Sequence, residues 1–118
     1  MIVRTWRASA APDRRRLYPQ HFTADVLPKL RGIPGFLGAY LLERETDAEV
    51  EFVVQTLWAS ADAIARFAGP RPEVAVVEPE AAAALLRYDA TVTHHVVLVA
   101  AGEGAASHAP SGSRNISS

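Results

Sequence analysis

Four stretches of the chain have the two-residue spacing or the β-branched composition of strands. The third shows the spacing best, because Phe52, Val54 and Trp58 lie two and four positions apart and so share one face. Its other face is also apolar, with Val53 and Leu57. The four predicted strands cover residues 1–8, 36–45, 50–58 and 91–99.

A first helix is predicted from Pro12 to about Leu30, where apolar residues recur every three to four positions. Pro19 and Pro28 lie inside this segment. Each lacks a backbone N–H and crowds the carbonyl four residues earlier. We therefore expect a late start or a bend at Pro19 and a second disturbance at Pro28.

Two shorter helices are predicted in the second half of the chain. Ser60 can accept a hydrogen bond from the first turn of one of them, and Gly69 suits the left-handed residue that ends a helix. Pro79 can open the other, which we expect to run through Leu86.

The element order β-α-β-β-α-(α)-β predicts a ferredoxin-like α+β fold with an extra short helix before the last strand. We expect one four-stranded antiparallel sheet with its helices on one side. Because the third strand is apolar on both faces, the other side of the sheet needs a cover as well. A second copy of the chain is the simplest cover, so we predict a homodimer with the two sheets face to face.

Composition limits the chain to one domain and excludes several classes of protein. It has 118 residues and a formal net charge of −1, so no overall field attracts nucleic acid or an anionic membrane. The absence of cysteine excludes disulfides and thiolate chemistry and is compatible with the cytoplasm, our default location. No run has the roughly 20 apolar residues of a membrane span. We predict a domain over residues 1–100 and a disordered Gly/Ala/Ser-rich tail over residues 101–118.

Five segments of the chain carry a family resemblance. They read MIVRTW, LPKLRGIPGFLGAYLLER, EVEFVVQTLWASADAIARFAG, AVVEPE and TVTHHVV. Together they resemble the antibiotic biosynthesis monooxygenase family over roughly residues 1–99. The Pro-Gly-Phe turn and the Trp-x-Ser junction between strand and helix are the most specific parts. Members of this family are dimeric α+β barrels, so the resemblance implies the same assembly.

The resemblance also implies an activity. The family includes cofactor-free oxygenases of polyphenolic polyketides, haem-degrading enzymes and quinol oxygenases. We therefore expect a cofactor-independent monooxygenase of secondary metabolism that acts on an aromatic or polyketide-like small molecule, with no cofactor and no metal. This expected activity rests on analogy with the family.

Two polar constellations of the family are absent at the matching positions. Where quinone-forming oxygenases have an asparagine, a tyrosine and an arginine, the residues here are Val54, Ile64 and Glu78. Where haem-degrading members have an asparagine, a tryptophan and a histidine, the residues here are Trp6, Phe67 and Val77. Without the histidine that would ligate iron, haem chemistry is not expected. A pocket at this place is expected to be more apolar than in the quinone-forming oxygenases.

His21 is the leading candidate for a general acid or base. On a helix it lies one turn from Tyr18 and one turn before Asp25, so the three side chains cluster along one side. A carboxylate beside an imidazole orients the ring for proton transfer. We predict His21, Tyr18 and Asp25 as the catalytic group. The alternative is a half-exposed surface histidine, because His21 lies at the border of the apolar stripe centred near Val26.

The predicted substrate-binding residues are mainly aromatic. Trp58 and Trp6 offer flat walls to a planar ligand, although Trp58 can instead pack the strand end against the helices. By analogy with the family, Arg4 shares with Trp6 the face directed at the cavity, where it clamps a substrate or pairs with an acid; otherwise it reaches solvent. His94 and His95 point to opposite faces, so within a single chain they cannot both chelate one metal. The predicted set is Arg4, Trp6, Phe22, Trp58, Phe67 and His94.

Two other functions stay open. A cyclase or isomerase would keep the pocket and the proton transfer but not use oxygen. A non-catalytic dimer would bind a hydrophobic small molecule, and the missing polar residues of the family favour it. The basic run at residues 14–16 is too short for nucleic-acid binding.

Overall fold

A computed structural model describes residues 1–102 of the chain. Its strands are β1 (Ile2–Ala10), β2 (Phe36–Glu45), β3 (Val50–Trp58), β4 (Arg87–Tyr88) and β5 (Thr93–Val96). Its α-helices are α1 (Leu17–His21), α2 (Leu27–Arg31), α3 (Ala61–Ala68) and α4 (Pro79–Ala84), with a 3₁₀ turn at Pro12–Arg14 and a π-helical segment at Phe22–Val26. The predicted disordered tail, beyond its first two residues, lies outside the described residues. No helix within residues 1–102 is long and apolar enough to cross a bilayer.

The strands form one antiparallel sheet. Its order is β2-β3-β1-β4, and β5 also pairs with β1. Both β4 and β5 lie on the same side of β1, with β4 beside Ala8 and Ser9 and β5 beside residues 2–5. The two short strands therefore share the position of one outer strand. This order, with the helices packed on one face, confirms the predicted α+β ferredoxin-like fold.

The continuous last strand predicted over residues 91–99 is wrong. Residues 90–92 pair with a crossing segment instead of with β1: the N–H of Ala75 donates to the carbonyl of Ala90, and the N–H of Val92 donates to the carbonyl of Glu73, both at 2.9 Å. This pairing interrupts the outer strand: only Thr93–Val96 of the predicted strand forms β5, and β4, which was not predicted, precedes it. The last helix is also shorter than predicted, because the backbone is already extended at Leu85.

The predicted disturbance of the first helix takes the form of a π-helical segment. Within Phe22–Val26 the turns widen, and the N–H of Leu27 donates to the carbonyl of Phe22, five residues earlier. The segment ends directly before α2, where Pro28 has no N–H to donate and its ring crowds a carbonyl one turn earlier. A widened turn accommodates this proline. Segments of this kind are frequent at functional sites, and this one begins directly after His21.

The hydrophobic core lies between the sheet and the helices. Alternate residues of β3 point into it, and Phe52, Val54 and Trp58 are buried there. The helices contribute Tyr18, Phe22, Leu30, Ala63, Ile64, Ala81 and Ala84. The opposite sheet face is partly apolar, since the register places Leu57 beside Val3 and Leu42 beside Val53.

The junction between β3 and α3 forms as predicted. The Ser60 hydroxyl oxygen accepts a hydrogen bond of 3.2 Å from the N–H of Ala63. Gly69 ends the helix with a φ of 79°, in the left-handed region.

Candidate functional site

A cavity of about 80 Å³ lies between the sheet face and the first helical segment. Its polar lining residues are Arg4, Tyr18, His21, Lys29, Thr56 and Glu78. Its apolar lining includes Trp6, Phe22, Leu30, Val54, Phe67 and Val76. Since one water-sized group needs about 10–15 Å³ by this measure, several such groups fit. Six of the nine predicted site residues therefore line this cavity: Arg4, Trp6, Tyr18, His21, Phe22 and Phe67.

His21 is buried between two carboxylates. Its side chain is 7% exposed, its Nδ1 lies 3.0 Å from Oδ2 of Asp25, and its Nε2 lies 3.3 Å from Oε1 of Glu78. The prediction of a His21–Asp25 contact is confirmed, and the Tyr18 ring lies 6.3 Å from the imidazole between centroids. The alternative of a half-exposed surface histidine is wrong, because Glu78, at the start of α4, packs against the imidazole ring of His21.

The two nitrogens of His21 differ in what they can do. When Nδ1 carries the proton, it donates to Asp25, and Nε2 is left as a proton acceptor. Nε2 is buried, and within the described part of the chain it has no partner with hydrogen-bond geometry. Its nearest carboxylate, Glu78, is the more accessible group at 28% side-chain exposure and accepts a hydrogen bond from Lys29. A proton from the cavity can thus reach the imidazole by way of Glu78.

Glu78 was not predicted as a site residue. In the sequence it stands out only as the position that lacks the family arginine. It lies far from His21 in sequence, and no local spacing signals a contact over such a distance.

Arg4 is buried without an acidic partner among residues 1–102. It is 5% exposed, its Nη2 donates a hydrogen bond of 3.0 Å to the carbonyl of Val74, and its guanidinium carbon lies 5.4 Å from the centre of the Phe67 ring. Burial lowers the pKa of Arg4 to about 10, so the group still carries its charge at neutral pH. The alternative in which Arg4 reaches solvent is wrong, because the segment around Val74 covers it.

Tyr18 is a hydrogen-bond donor rather than a base. It is 4% exposed, and its ring packs against Trp6, Phe22 and Phe52 at centroid distances of 5.8, 6.2 and 5.7 Å. Burial, and then the negative charge of Glu78, raise the pKa of Tyr18 well above its usual value. The phenol therefore keeps its proton across the physiological range.

The structure places Trp58 behind the cavity wall. Trp58 is 0% exposed, donates a hydrogen bond of 2.8 Å to the hydroxyl of Thr56, and stacks on Phe67 at 5.8 Å between centroids. Thr56 and Phe67 line the cavity, whereas Trp58 does not. Its predicted place as a cavity wall is therefore corrected to the packing alternative: it holds two lining residues in position.

His94 also lies outside the cavity lining. The register pairs it with Arg4 and pairs His95 with Val3, so His94 is the one on the helix side of the sheet. It lies on the outer strand β5, where it is exposed. The predicted place of His94 in the cavity is therefore corrected: its side chain lies on the exposed outer strand.

No metal site is formed by the part of the chain that the structure describes. Within it, no group of three or more His, Asp or Glu side chains is arranged to hold a metal ion.

A model of the antibiotic biosynthesis monooxygenase family matches residues 1–70 of the chain. The chain belongs to the antibiotic biosynthesis monooxygenase family. A crystal structure of a Deinococcus radiodurans protein, named as a candidate antibiotic biosynthesis monooxygenase, superposes with a TM-score of 0.55. The superposition covers 86% of this chain and 97% of that one at 14% sequence identity, which shows a shared fold. Among curated proteins, no sequence matches the chain.

The cavity coincides with positions that carry the polar residues of the family. Val54 and Glu78 line it, as do Trp6 and Phe67 at the positions of the haem-degrading members. Ile64 is buried in the adjacent core at 3% exposure. In this member of the antibiotic biosynthesis monooxygenase family, four of those six positions line the cavity, and the polar groups around it are a different set.

Proposed function

We propose that this protein is a cofactor-independent monooxygenase that acts on an acidic aromatic or polyketide-like small molecule of secondary metabolism. The observation that carries the proposal is the pair His21 and Glu78, 3.3 Å apart at the wall of a mostly apolar cavity. Membership of the family supports oxygen as the second substrate. A proton-accepting pair beside an apolar surface suits a phenol or enol, which becomes easier to oxidise once it is an anion.

The proposed reaction converts a phenol with a free para C–H into a quinone. Removal of the O–H proton gives an electron-rich anion, whose para carbon bonds to dioxygen. One oxygen atom stays on that carbon as the new carbonyl. The other leaves as water with the hydrogens of the former C–H and O–H groups. The substrate thereby loses the four electrons that reduce dioxygen, so the reaction needs no external reductant.

Different residues around the cavity transfer the proton, orient the imidazole and bind the substrate. Glu78 accepts the substrate proton and passes it to Nε2 of His21, while Asp25 holds the ring through Nδ1. The un-ionised Tyr18 hydroxyl can donate to an oxygen of the substrate. Trp6, together with the other aromatic lining residues, supplies flat apolar surfaces for the rings.

Oxygen uptake with a panel of phenols and enols tests the proposal. Glu78→Gln and His21→Gln should each lower turnover by about 10²–10⁴-fold. The double variant should fall little further, because both residues serve one proton transfer. Glu80→Gln, an exposed carboxylate of α4, is the matched control and should keep wild-type turnover.

Other outcomes of these experiments would contradict the proposed function or mechanism. Solvent deuterium exchange at a substrate C–H without oxygen uptake would favour the cyclase or isomerase. Ligand binding with neither reaction would favour the non-catalytic binding protein. Full turnover in His21→Gln would remove the histidine from the mechanism.

We further propose that the chain works as a homodimer through the sheet face opposite the helices. Leu42 on that face is 43% exposed, beside Val53 in the register. Sedimentation should give the mass of two chains, and Leu42→Glu should give one. Leu17→Glu, at 40% exposure on the helix side, is the control that should stay dimeric. A single-chain mass for the wild type would contradict the dimer.

A further inference from the structure

The charge of Arg4 is not neutralised by any carboxylate among residues 1–102. Glu78, which lines the cavity, pairs with Lys29 and His21, and Glu73, next to Val74 in sequence, pairs with Arg71. Only Nη2 of Arg4 has a hydrogen-bond partner in this part of the chain, and Nε is buried without one. A guanidinium with uncommitted N–H groups therefore lines the cavity.

Burial of such a charge is costly unless an anion accompanies it. The carbonyl of Val74 and the ring of Phe67 compensate only in part, because the first is neutral and the second offers a cation–π contact. The planar guanidinium is suited to hold an oxyanion through two parallel hydrogen bonds. The rest of the wall is mostly apolar and aromatic, which favours a ring next to that oxyanion.

We infer that Arg4 binds an anionic oxygen of the ligand, so that the molecule taken by this cavity is a planar, apolar oxyanion, either a carboxylate or a phenolate. This inference rests on the proposed function for the location of the site and deepens it by naming the substrate class. In that arrangement Arg4 stabilises the anion, and the pair His21 and Glu78 handles a proton. Arg4 also holds the segment around Val74 through its hydrogen bond to the Val74 carbonyl. The same guanidinium therefore contacts both this segment and the ligand.

A purely structural Arg4 would behave differently. It would hold Val74 in place, and its loss would lower stability without changing which ligands the cavity prefers. An anion-binding Arg4 gives the cavity a preference for charge that disappears with the guanidinium. The ratio of affinities for a charged and a neutral ligand of equal shape separates the two roles.

Benzoate and benzamide are such a pair, because they have nearly the same shape and differ in charge. We expect the wild type to bind benzoate about tenfold or more tightly than benzamide, measured by calorimetry at constant ionic strength. Arg4→Gln should lose this preference by weakening benzoate alone, and Arg4→Lys should keep part of it. Arg16→Gln, an exposed arginine near α1, is the control and should keep the full preference.

Titration with 4-nitrophenol below and above its own pKa distinguishes a phenolate from a carboxylate site. Preference for either anion over its neutral form supports the inference and names the oxyanion. Equal binding of charged and neutral forms, no binding of either anion at millimolar concentration, or a preference that survives in Arg4→Gln would overturn it. If Arg4→Gln does not fold, the wild-type ratios and Arg4→Lys decide the question. Because binding is measured without turnover, a failure of oxygen uptake leaves this result standing.

Discussion

The indole of Trp58 donates its hydrogen bond to Thr56 two residues earlier on the same strand, and both side chains are buried. Thr56→Val keeps the shape of the side chain but leaves the indole N–H without an acceptor. We expect a loss of about 1–3 kcal/mol in the free energy of unfolding, measured by urea denaturation. Thr56→Ser keeps the acceptor and should cost less than Thr56→Val. Equal losses in the two variants would show that packing, not the hydrogen bond, sets the cost.

Gly35 should tolerate no side chain. Its φ is 93°, and a Cβ built on it would lie 2.5 Å from the Cβ of Ala63 on α3. Gly35→Ala combines left-handed strain with a steric clash, so we expect a loss of about 2–4 kcal/mol by urea denaturation. Gly69→Ala has a similar φ with nothing within 4 Å and should lose only the strain, about 1–2 kcal/mol. A larger loss at Gly69 than at Gly35 would contradict this explanation.

Tyr18 should titrate far above the ordinary range of tyrosine. Its raised pKa means that the folded state holds the proton more tightly than the unfolded state, so this contribution to stability is complete below about pH 10 and lost as the pH rises further. Ultraviolet titration should show a late-ionising phenol that disappears in Tyr18→Phe. Glu78→Gln should move that ionisation to lower pH, because it removes a negative charge that opposes the phenolate. No movement would leave burial as the sole cause.

His94 should report the charge of Arg4. Partial desolvation, and then the positive charge of Arg4, lower the pKa of His94, while Glu73 raises it. The folded state thus binds this proton less readily than the unfolded state, so the stabilising contribution is present above about pH 6.5 and is lost as the pH falls. By NMR titration, Arg4→Gln should raise the pKa of His94. An unchanged pKa in a folded Arg4→Gln would show that the two charges do not interact.

The sequence was sufficient for the fold wherever the pattern is local. The predicted bounds of β2 and β3 agree with the structure, because turn residues flank both segments. Ser60 and Gly69 mark the ends of α3 by their own local preferences. The last strand failed for a non-local reason. Its residues 91 and 92 pair with the segment around Val74, an apolar stretch that the sequence alone did not assign to any strand.

The sequence predicted which face of the sheet the site residues share, but not how deeply each side chain is buried. Alternation correctly placed Arg4 and Trp6 on one face, and the family resemblance directed that face at the helices. Neither could show that Trp58 lies behind the cavity wall and Trp6 in it. Helical spacing found the contact of His21 with Asp25, four residues away. It could not find Glu78, whose approach depends on how α4 docks against α1.

The π-helical segment ahead of α2 implies that this stretch holds one residue more than a regular helix of the same length would need. If residues 22–26 wound as an ordinary helix with none deleted, everything downstream would be rotated by about 100° around the axis. Leu30, only 1% exposed, would then swing out of the interior, and Lys29 would lose its reach to Glu78. The widened turn thus sets the direction in which one cavity wall faces.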